Sequence, residues 1–231
     1  MKNMFLYAVN LAVIAALLCI GCDSGVNGNS EEVDMFLSMV GNRYVITLFT
    51  DDRDGKSYKR VRIGDQVWMA ENLNYAAEGS KCYNNIDANC AKYGRLYNWT
   101  TAMGGKASSS ANPSGVQGVC PVGWHIPSDR EWSVLETAVG SRAGTKLKST
   151  SGWNSGGNGT SAYGWSALPG GNGTSGGNFY NAGSNGLWWS ATEYYANYAW
   201  SRSMYYDGGN VYRNDENETN LFSVRCVQDD Q

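Results

Sequence analysis

The segment from Trp188 to Tyr212 carries the residue types in this chain that are best suited to molecular recognition. Nine of its 25 residues are Trp or Tyr, interleaved with Asn, Asp, Glu and Arg. Amphipathic rings beside such groups offer stacking faces and oriented hydrogen bonds at low entropic cost. We therefore predict a ligand-binding surface made of Glu193, Tyr194, Tyr195, Asn197, Tyr198, Arg202, Tyr205, Tyr206, Asp207, Asn210, Tyr212 and Arg213. The alternative is that half of the rings, notably Trp188, Trp189 and Trp200, belong to the core.

Such a surface suits a glycan or a protein, and a glycan is the more natural of the two ligands. Aromatic rings stack on the apolar faces of sugars, while Asn, Asp and Arg side chains form hydrogen bonds with the hydroxyl groups.

Patterns that would indicate catalysis are weak. The run Gly171–Gly177 formally fits a nucleophile elbow and a dinucleotide fingerprint, but it lacks the flanking strand and helix that give those motifs their geometry. His125 is the only histidine, so a cluster of imidazoles is excluded and we expect a structural role for it. Asp51, Asp52 and Asp54 crowd a turn but lack the closing Glu of a calcium-binding loop. We predict no catalytic residue, no metal site and no cofactor.

The N-terminus has the pattern of a bacterial export signal. Lys2 precedes the apolar run Met4–Leu18, which is shorter than the roughly 20 residues that a transmembrane helix needs. The run ends in a sequence that resembles a lipobox, with Cys22 as the acylated residue, although Cys19 stands where Leu is usual. Ordinary secretory cleavage is the alternative. The predicted organisation is a signal peptide at residues 1–21, a lipidated tether at 22–42 and one domain at 43–231.

Charge and cysteine content limit the partners and the compartment. The net charge is −3 without a basic cluster, so nucleic acid is not an expected partner. Four cysteines lie beyond Cys22, an even number that suits an oxidising compartment and allows three pairings. We favour Cys82 with Cys90 as a local link, and Cys120 with Cys226 as a closure of the domain.

Hydrophobic alternation and turn residues predict strands at both ends of the domain. The expected strands are Tyr44–Phe49, Tyr58–Ile63, Gln66–Met69, Leu187–Thr192, Ala199–Tyr205, Asn210–Asn214 and Leu221–Val227.

One helix is strongly indicated. Ser128 to Glu131 forms a capping box, and Gly140 ends the apolar face that follows. A weaker helix is expected over Leu96–Met103, and long loops over the Gly-rich stretch Ser149–Gly186.

Five separated motifs, all in order, resemble those of a known family. They are Trp68–Tyr75, Tyr93–Trp99, Cys120–Trp132, Trp188–Thr192 and Phe222–Val227. Through them, residues 51–227 resemble the Fibrobacter succinogenes major paralogous domain. That family looks like a branch of the C-type lectin-like superfamily, related to the formylglycine-generating, sulfatase-modifying domains.

The resemblance implies an α+β, C-type lectin-like fold with short antiparallel strands and hairpins, one or two helices, long ordered loops and stabilising disulfides. It brings no established activity. The related enzymes use paired late cysteines or clustered histidines, whereas here Cys226 is the only late cysteine and His125 the only histidine. The Glu-Pro-Asn and Trp-Asn-Asp signatures of sugar-binding lectins are also absent from the sequence.

We therefore expect a cell-envelope lipoprotein that displays a ligand-binding or adhesion domain and is not an enzyme. Its lipid anchor is expected in the outer membrane, with the domain at the cell surface. Asp23 beside the lipidated cysteine marks inner-membrane retention in some bacteria, so the membrane stays open. Two alternatives also stay open: an envelope enzyme of the sulfatase-modifying type without the usual catalytic residues, and a scaffold component of a surface assembly.

Overall fold

The computed structural model describes residues 44–229, which belong to one compact unit. The predicted signal peptide, the lipidation site Cys22 and most of the tether lie outside the described residues. The strands within them are β1 Ile46–Thr50, β2 Ser57–Ile63, β3 Gln66–Met69, β4 Leu96–Tyr97, β5 Trp124–His125, β6 Asn172–Gly173, β7 Phe179–Tyr180, β8 Asn185–Tyr195, β9 Tyr198–Tyr205, β10 Tyr212–Asn217, β11 Phe222–Ser223 and β12 Val227–Gln228. The helices are α1 Asp87–Tyr93, α2 Trp99–Met103, α3 Asp129–Val139 and α4 Ala143–Leu147, and a 3₁₀ turn covers Tyr83–Asn85.

The first sheet is built from both ends of the domain. Its order is β1-β2-β3-β12-β5, and each neighbouring pair is antiparallel. The β1–β2 turn closes when the Asp51 carbonyl accepts a hydrogen bond from Gly55, which adopts a left-handed φ of 71°. The three predicted opening strands are confirmed, each within a residue or two of its expected bounds.

The second sheet contains the segment predicted to bind ligand. Its order is β10-β9-β8-β11-β4, and β8, β9 and β10 follow one another as antiparallel hairpins. β11 runs parallel to β8, with Ser223 opposite Trp188. A separate two-stranded sheet pairs β6 with β7 in the Gly-rich region.

The prediction of one continuous strand over Leu221–Val227 is wrong. β11 belongs to the second sheet and β12 to the first, and residues 224–226 carry the chain between them. The whole stretch is buried. Phe222, Val224 and Cys226 alternate with Ser223 and Arg225, which is the pattern of a single half-buried strand, so the hydrophobic pattern could not distinguish the two arrangements.

Two apolar cores lie on opposite faces of β8. Trp188 belongs to a core that contains Trp68, Trp132 and Trp165, all fully buried, whereas its neighbour Trp189 belongs to a core with Phe222. Successive strand residues point to opposite faces, so two adjacent tryptophans serve two cores. The ring centroids of Trp68 and Trp132 are 4.9 Å apart. Trp188 and Trp189 are therefore core residues, as the alternative expected, whereas Trp200, which the alternative also placed in the core, is only partly buried.

The helix predicted from the capping box is confirmed. The Ser128 hydroxyl accepts a hydrogen bond from the Glu131 backbone, and the Glu131 carboxylate accepts one from the Ser128 backbone. Trp132, Leu135 and Val139 are buried on its inner face. The weaker helix begins later than expected, at Trp99, because the Asn98 side chain caps it and Leu96–Tyr97 is paired as β4. Helices α1 and α4 have no counterpart in the sequence prediction.

Both predicted disulfides are present. Cys82 is bonded to Cys90, and Cys120 to Cys226. The second bond joins the loop before β5 to the end of the crossing segment, so it ties together two chain regions separated by 106 residues. The described chain is thus a mixed α+β domain that is cross-linked near its C-terminal end.

Candidate functional site

The residues predicted to bind ligand lie on two neighbouring hairpins of the second sheet. Those at the tip of the β8–β9 hairpin are Glu193, Tyr194, Tyr195, Asn197 and Tyr198. Those in and after the β9–β10 turn are Tyr205, Tyr206, Asp207, Asn210, Tyr212 and Arg213. All of these are exposed or partly exposed. Arg202 differs, as described below.

The hairpin tip carries a row of packed rings, Tyr198, Tyr195, Tyr194 and Trp200, which we call the aromatic ladder. Tyr195 and Tyr198 stack with their centroids 4.7 Å apart, and Tyr194 meets Trp200 at 4.4 Å. Tyr194 and Tyr195 contact each other edge-on at 4.9 Å. They are nevertheless 50% and 51% exposed, so the rings are held in place by one another and still face solvent.

The ladder continues into a charged contact with helix α3. The guanidinium carbon of Arg213 lies 3.2 Å from the centre of the Trp200 ring. The same guanidinium donates two hydrogen bonds to the carboxylate of Asp129, from Nε at 2.7 Å and from Nη2 at 2.9 Å. Burial alone raises the pKa of Asp129, but the hydrogen bonds from Arg213 and Arg202 outweigh it and lower the pKa below its ordinary value. Asp129 is therefore an ionised anchor for the outer strand β10.

The prediction that Arg202 belongs to the binding surface is wrong. Its side chain is only 1% exposed, on the face of β9 that packs against α3. Its Nη1 donates to Asp129 at 2.7 Å and its Nε to Glu136 at 2.6 Å. A buried guanidinium needs such partners to offset the loss of water. Arg202 supports the surface from beneath.

A buried lysine shapes the β9–β10 turn. The Lys148 ammonium donates to the carbonyl oxygens of Tyr205 at 3.0 Å and Gly208 at 2.9 Å, and its side chain is almost fully buried. Burial lowers its pKa, although Asp207 acts in the opposite direction. By these hydrogen bonds Lys148 holds the backbone of the turn that contains Tyr206 and Asp207.

A groove of about 300 Å³ lies beside this turn. Its walls include Asn210 and Tyr212 from the predicted set, together with Glu136 and Arg142 from α3 and the residues that follow it. Glu136, in the wall of the groove, is bonded to Arg202, and Arg202 is bonded to Asp129. Asp129 in turn binds Arg213, which lies over the Trp200 ring of the ladder. The groove and the aromatic ladder are therefore connected through the same group of charged residues.

The β8–β9 hairpin is held near its tip by the loop between α2 and β5 and by the first residue of α3. The Thr192 hydroxyl donates to the Ser109 carbonyl at 2.7 Å and accepts from the Asp129 backbone at 3.0 Å. The Glu193 backbone N–H donates to the Ser108 hydroxyl at 2.9 Å. The ladder therefore lies on a hairpin that two other segments of the chain hold near its tip.

Comparison with known protein families matches residues 61–228 of the 231-residue chain to the Fibrobacter succinogenes major domain. The chain belongs to this family. No curated protein and no solved structure matches it. The matched part includes both hairpins that carry the candidate site.

Four of the five motifs of this Fibrobacter succinogenes major domain meet at one buried residue, Asn72. Its Oδ1 accepts hydrogen bonds from Trp188 Nε1 at 2.8 Å and Arg225 Nη2 at 2.9 Å, and its Nδ2 donates to the Tyr93 carbonyl at 2.8 Å. Arg225 is completely buried, and this desolvation lowers its pKa to about 9. These motif residues build the interior, whereas the candidate site lies on the less motif-rich hairpins.

The single histidine of the Fibrobacter succinogenes major domain described here is a buried structural group. His125 Nε2 lies 2.7 Å from Glu131 Oε1, and its Nδ1 lies 2.6 Å from Asp229 Oδ1. Burial alone lowers the pKa of His125, but hydrogen bonds to the two carboxylates outweigh it and raise the pKa above its ordinary value. The expected structural role agrees with this geometry.

The other residues whose sequence pattern could indicate a metal site or catalysis make local structural contacts. The Asp51 carboxylate is bonded by Arg53 at 2.7 Å, and Asp54 by Lys56 at 2.6 Å. The Gly171–Gly177 run contains β6 and makes a bridge from Gly173 to Leu221. Within residues 44–229, no group of three or more His, Cys, Asp or Glu side chains is arranged to hold a metal ion. Within the same residues, no helix is both long enough and apolar enough to cross a membrane.

Sequence reasoning missed the residues that support the site from behind. Lys148 and Glu136 carried no local signal, because their partners lie 57 and 66 positions away in the chain. Asp129 lies in the first turn of α3, where a negative charge is favoured by the helix dipole whatever its other contacts. Its second role follows from the pairing of β10 with β9, which places Arg213 opposite Arg202.

Proposed function

We propose that this chain is a cell-envelope lipoprotein whose domain binds a ligand through the aromatic ladder and the adjoining groove. The observation that carries the proposal is the ladder itself. Tyr194 and Tyr195 are half exposed and at the same time packed against neighbouring rings. Such pre-organised rings lose little conformational entropy when they bind a partner.

A neutral glycan is the favoured ligand. The two cations nearest the ladder, Arg213 and Arg202, are already paired with carboxylates and offer little free charge to an anionic ligand. The groups left for hydrogen bonding are the exposed amides of Asn197 and Asn210 and the exposed carboxylates of Glu193 and Asp207, and these carboxylates would repel an anionic ligand. Rings together with amides match the apolar faces and the hydroxyl groups of a sugar chain. A protein ligand is the second possibility.

The proposed location rests on the N-terminal sequence. An export signal removed just before Cys22 would leave the domain attached by lipid, with the outer membrane and the cell surface as the proposed site of display. The paired cysteines support export, since disulfides persist in oxidising compartments. The proposed fold is C-type lectin-like, and the mixture of short strands, short helices and long ordered loops is compatible with that class.

The proposed mode of action is binding without catalysis. Its support is that His125, the residue best suited to proton transfer near neutral pH, is enclosed and has both ring nitrogens engaged.

A glycan array tests the proposal. The chain without residues 1–22 is compared with a Tyr194→Ala/Tyr195→Ala variant and with Tyr180→Ala, a control tyrosine on β7 with a similar exposure of 48%. The double variant should lose affinity by about tenfold or more for neutral glycans, because stacking on each ring contributes about 1 kcal/mol. The control should bind normally. Equal binding by all three proteins would refute the site.

A further inference from the structure

Strand β1 forms an outer edge of the first sheet. Within residues 44–229 it pairs with β2 on one side only, and no second strand covers its other side. Its side chains are unusually exposed for their type: Leu48 is 66% exposed and Ile46 43%.

The hydrogen bonds of the neighbouring turn show which peptide groups point outward. The Asp51 N–H donates to the Lys56 carbonyl, and these two residues are opposite each other in the β1–β2 register. In an antiparallel ladder, peptide groups alternate between the two sides of a strand. Consequently the backbone N–H and C=O groups of Thr47 and Phe49 point toward β2. Those of Ile46, Leu48 and Thr50 point away from β2, toward the open edge.

The next strand gives an independent check of this alternation. Lys59, on β2, accepts a hydrogen bond from Ala70 on the side of β3. Lys59 is opposite Leu48. The Lys59 carbonyl therefore points away from β1. Lys59 and Leu48 are thus not hydrogen-bonded to each other, so the peptide groups of Leu48 point away from β2.

The edge lacks the features that usually prevent strands from pairing. Natural edge strands are protected by charged side chains, proline or bulges. The sequence of β1, Ile-Thr-Leu-Phe-Thr, contains no charged residue and no proline. The outer strand of the second sheet, β10, is different, because it carries Arg213, Asp215 and Glu216.

We propose that β1 pairs with β1 of a second copy of this chain, antiparallel and about a two-fold axis at Leu48. This register sets Leu48 opposite Leu48 of the other copy, and Ile46 opposite Thr50. All three outward-facing residues then fall in hydrogen-bonded pairs, which gives about six backbone hydrogen bonds across the axis. A strand paired with itself in any other antiparallel register uses fewer of these groups.

Side chains and charges also suit a second copy. Residues directly opposite in an antiparallel pair project from the same face, so the two exposed Leu48 side chains cover each other. The nearest cation on β2, Lys59, has Glu71 as a partner at 3.4 Å, which reduces repulsion between the two copies. A symmetric pairing of this kind is closed, because it uses the β1 edge of both copies and leaves neither edge free for a further copy.

This interface lies on the first sheet, whereas the aromatic ladder lies on the second, so the inference does not depend on the proposed ligand. A pair of copies would present two ladders. Two linked sites raise the apparent affinity for a repetitive polymer without new contacts.

Cysteine cross-linking of the full exported chain in its membrane tests the register. Opposite residues in a hydrogen-bonded pair have Cα atoms about 5.5 Å apart, which suits a disulfide. Leu48→Cys should therefore form a disulfide-linked dimer on mild oxidation. Thr50→Cys, equally on the edge, should stay monomeric, and Ile46→Cys/Thr50→Cys should cross-link.

A second measurement avoids introduced thiols. The molecular mass of the chain in detergent should be that of a dimer, and Leu48→Lys should convert it to a monomer by placing two positive charges at the axis. Ile86→Lys, an exposed apolar residue elsewhere on the surface, should remain dimeric. A monomeric parent chain, or a Leu48→Cys variant that does not cross-link because another segment or protein covers β1, would overturn the proposal.

Discussion

Arg213 lies over the ring of Trp200 and is bonded at the same time to Asp129, the first residue of helix α3. This relationship connects the exposed aromatic ladder to the best-defined helix of the domain. The cation and the ring hold each other in place, and the carboxylate fixes the cation. The surface proposed to bind ligand is therefore rigid for reasons that can be tested one residue at a time.

Replacement of Asp129 by Asn should weaken this connection. Arg213 and Arg202 would lose a charged acceptor, and we expect the free energy of unfolding near pH 7 to fall by about 2 kcal/mol. Because the pKa of Asp129 is lowered in the folded protein, its contribution is present above about pH 4 and is lost as the pH falls through its folded pKa. Denaturant titrations at several pH values measure the effect. Asp52→Asn, at an exposed carboxylate, is the control, and a difference that persists undiminished in strong acid would contradict this account.

His125 should give the opposite dependence on pH. Its pKa is raised in the folded state, so its contribution to stability is complete below about pH 6.5 and is lost as the pH rises through the folded pKa. We expect the urea concentration at the midpoint of unfolding of the parent protein to decrease as the pH rises from about 6.5 through the folded pKa of His125. His125→Gln should have a lower midpoint with a flatter profile. Parallel profiles for the two proteins would argue against a charged imidazolium.

Lys148 should be required for the order of the β9–β10 turn. In Lys148→Met, the carbonyl groups of Tyr205 and Gly208 lose their donor, and a destabilisation of about 2 to 3 kcal/mol is expected. Hydrogen exchange should increase mainly at residues 205–210. Lys146→Met is a matched control, because Lys146 makes one hydrogen bond, to Val139, outside the turn. Equal effects of the two substitutions would remove the special role of Lys148.

The two disulfides should stabilise regions of different size. Cys226→Ser opens the bond that spans 106 residues, and we expect a cost of about 2 to 5 kcal/mol with the greatest loosening at residues 188–212. Cys82→Ser should disturb mainly the loop at residues 84–89. Both differences from the parent protein should disappear in reductant. Peptide mapping of the non-reduced protein checks the pairing itself. A Cys82 to Cys120 or Cys82 to Cys226 linkage would be inconsistent with the structure.

Local sequence signals predicted the elements whose causes are local. The capping box at Ser128 and Glu131 located α3, and the alternation of apolar residues located β2 and β9. The disulfide pairs also followed from spacing. Each of these features depends on residues that are near each other in the chain or on a simple choice among few pairings.

Features that depend on distant partners could not be predicted in the same way. Arg202 was assigned to the surface as one of the polar residues interleaved with the aromatic rings, yet Asp129 and Glu136 make its burial tolerable. The split of Leu221–Val227 between two sheets likewise depends on which strands lie beside it. Most of the residues of the candidate surface lie exposed on two neighbouring hairpins, but the residues that support them were visible only in the fold.

If the aromatic ladder binds a glycan and the domain is displayed as proposed, cells that carry the chain should adhere to that glycan through the ladder. The most direct test is the adhesion of bacterial cells to an immobilised neutral polysaccharide that is bound by the purified domain. Cells carrying the parent chain are compared with cells carrying Tyr194→Ala/Tyr195→Ala or Tyr180→Ala, at surface levels matched by protease shaving. We predict that the double variant loses adhesion while the Tyr180→Ala control adheres like the parent; adhesion that survives the loss of both ladder tyrosines would contradict the proposed role of the ladder.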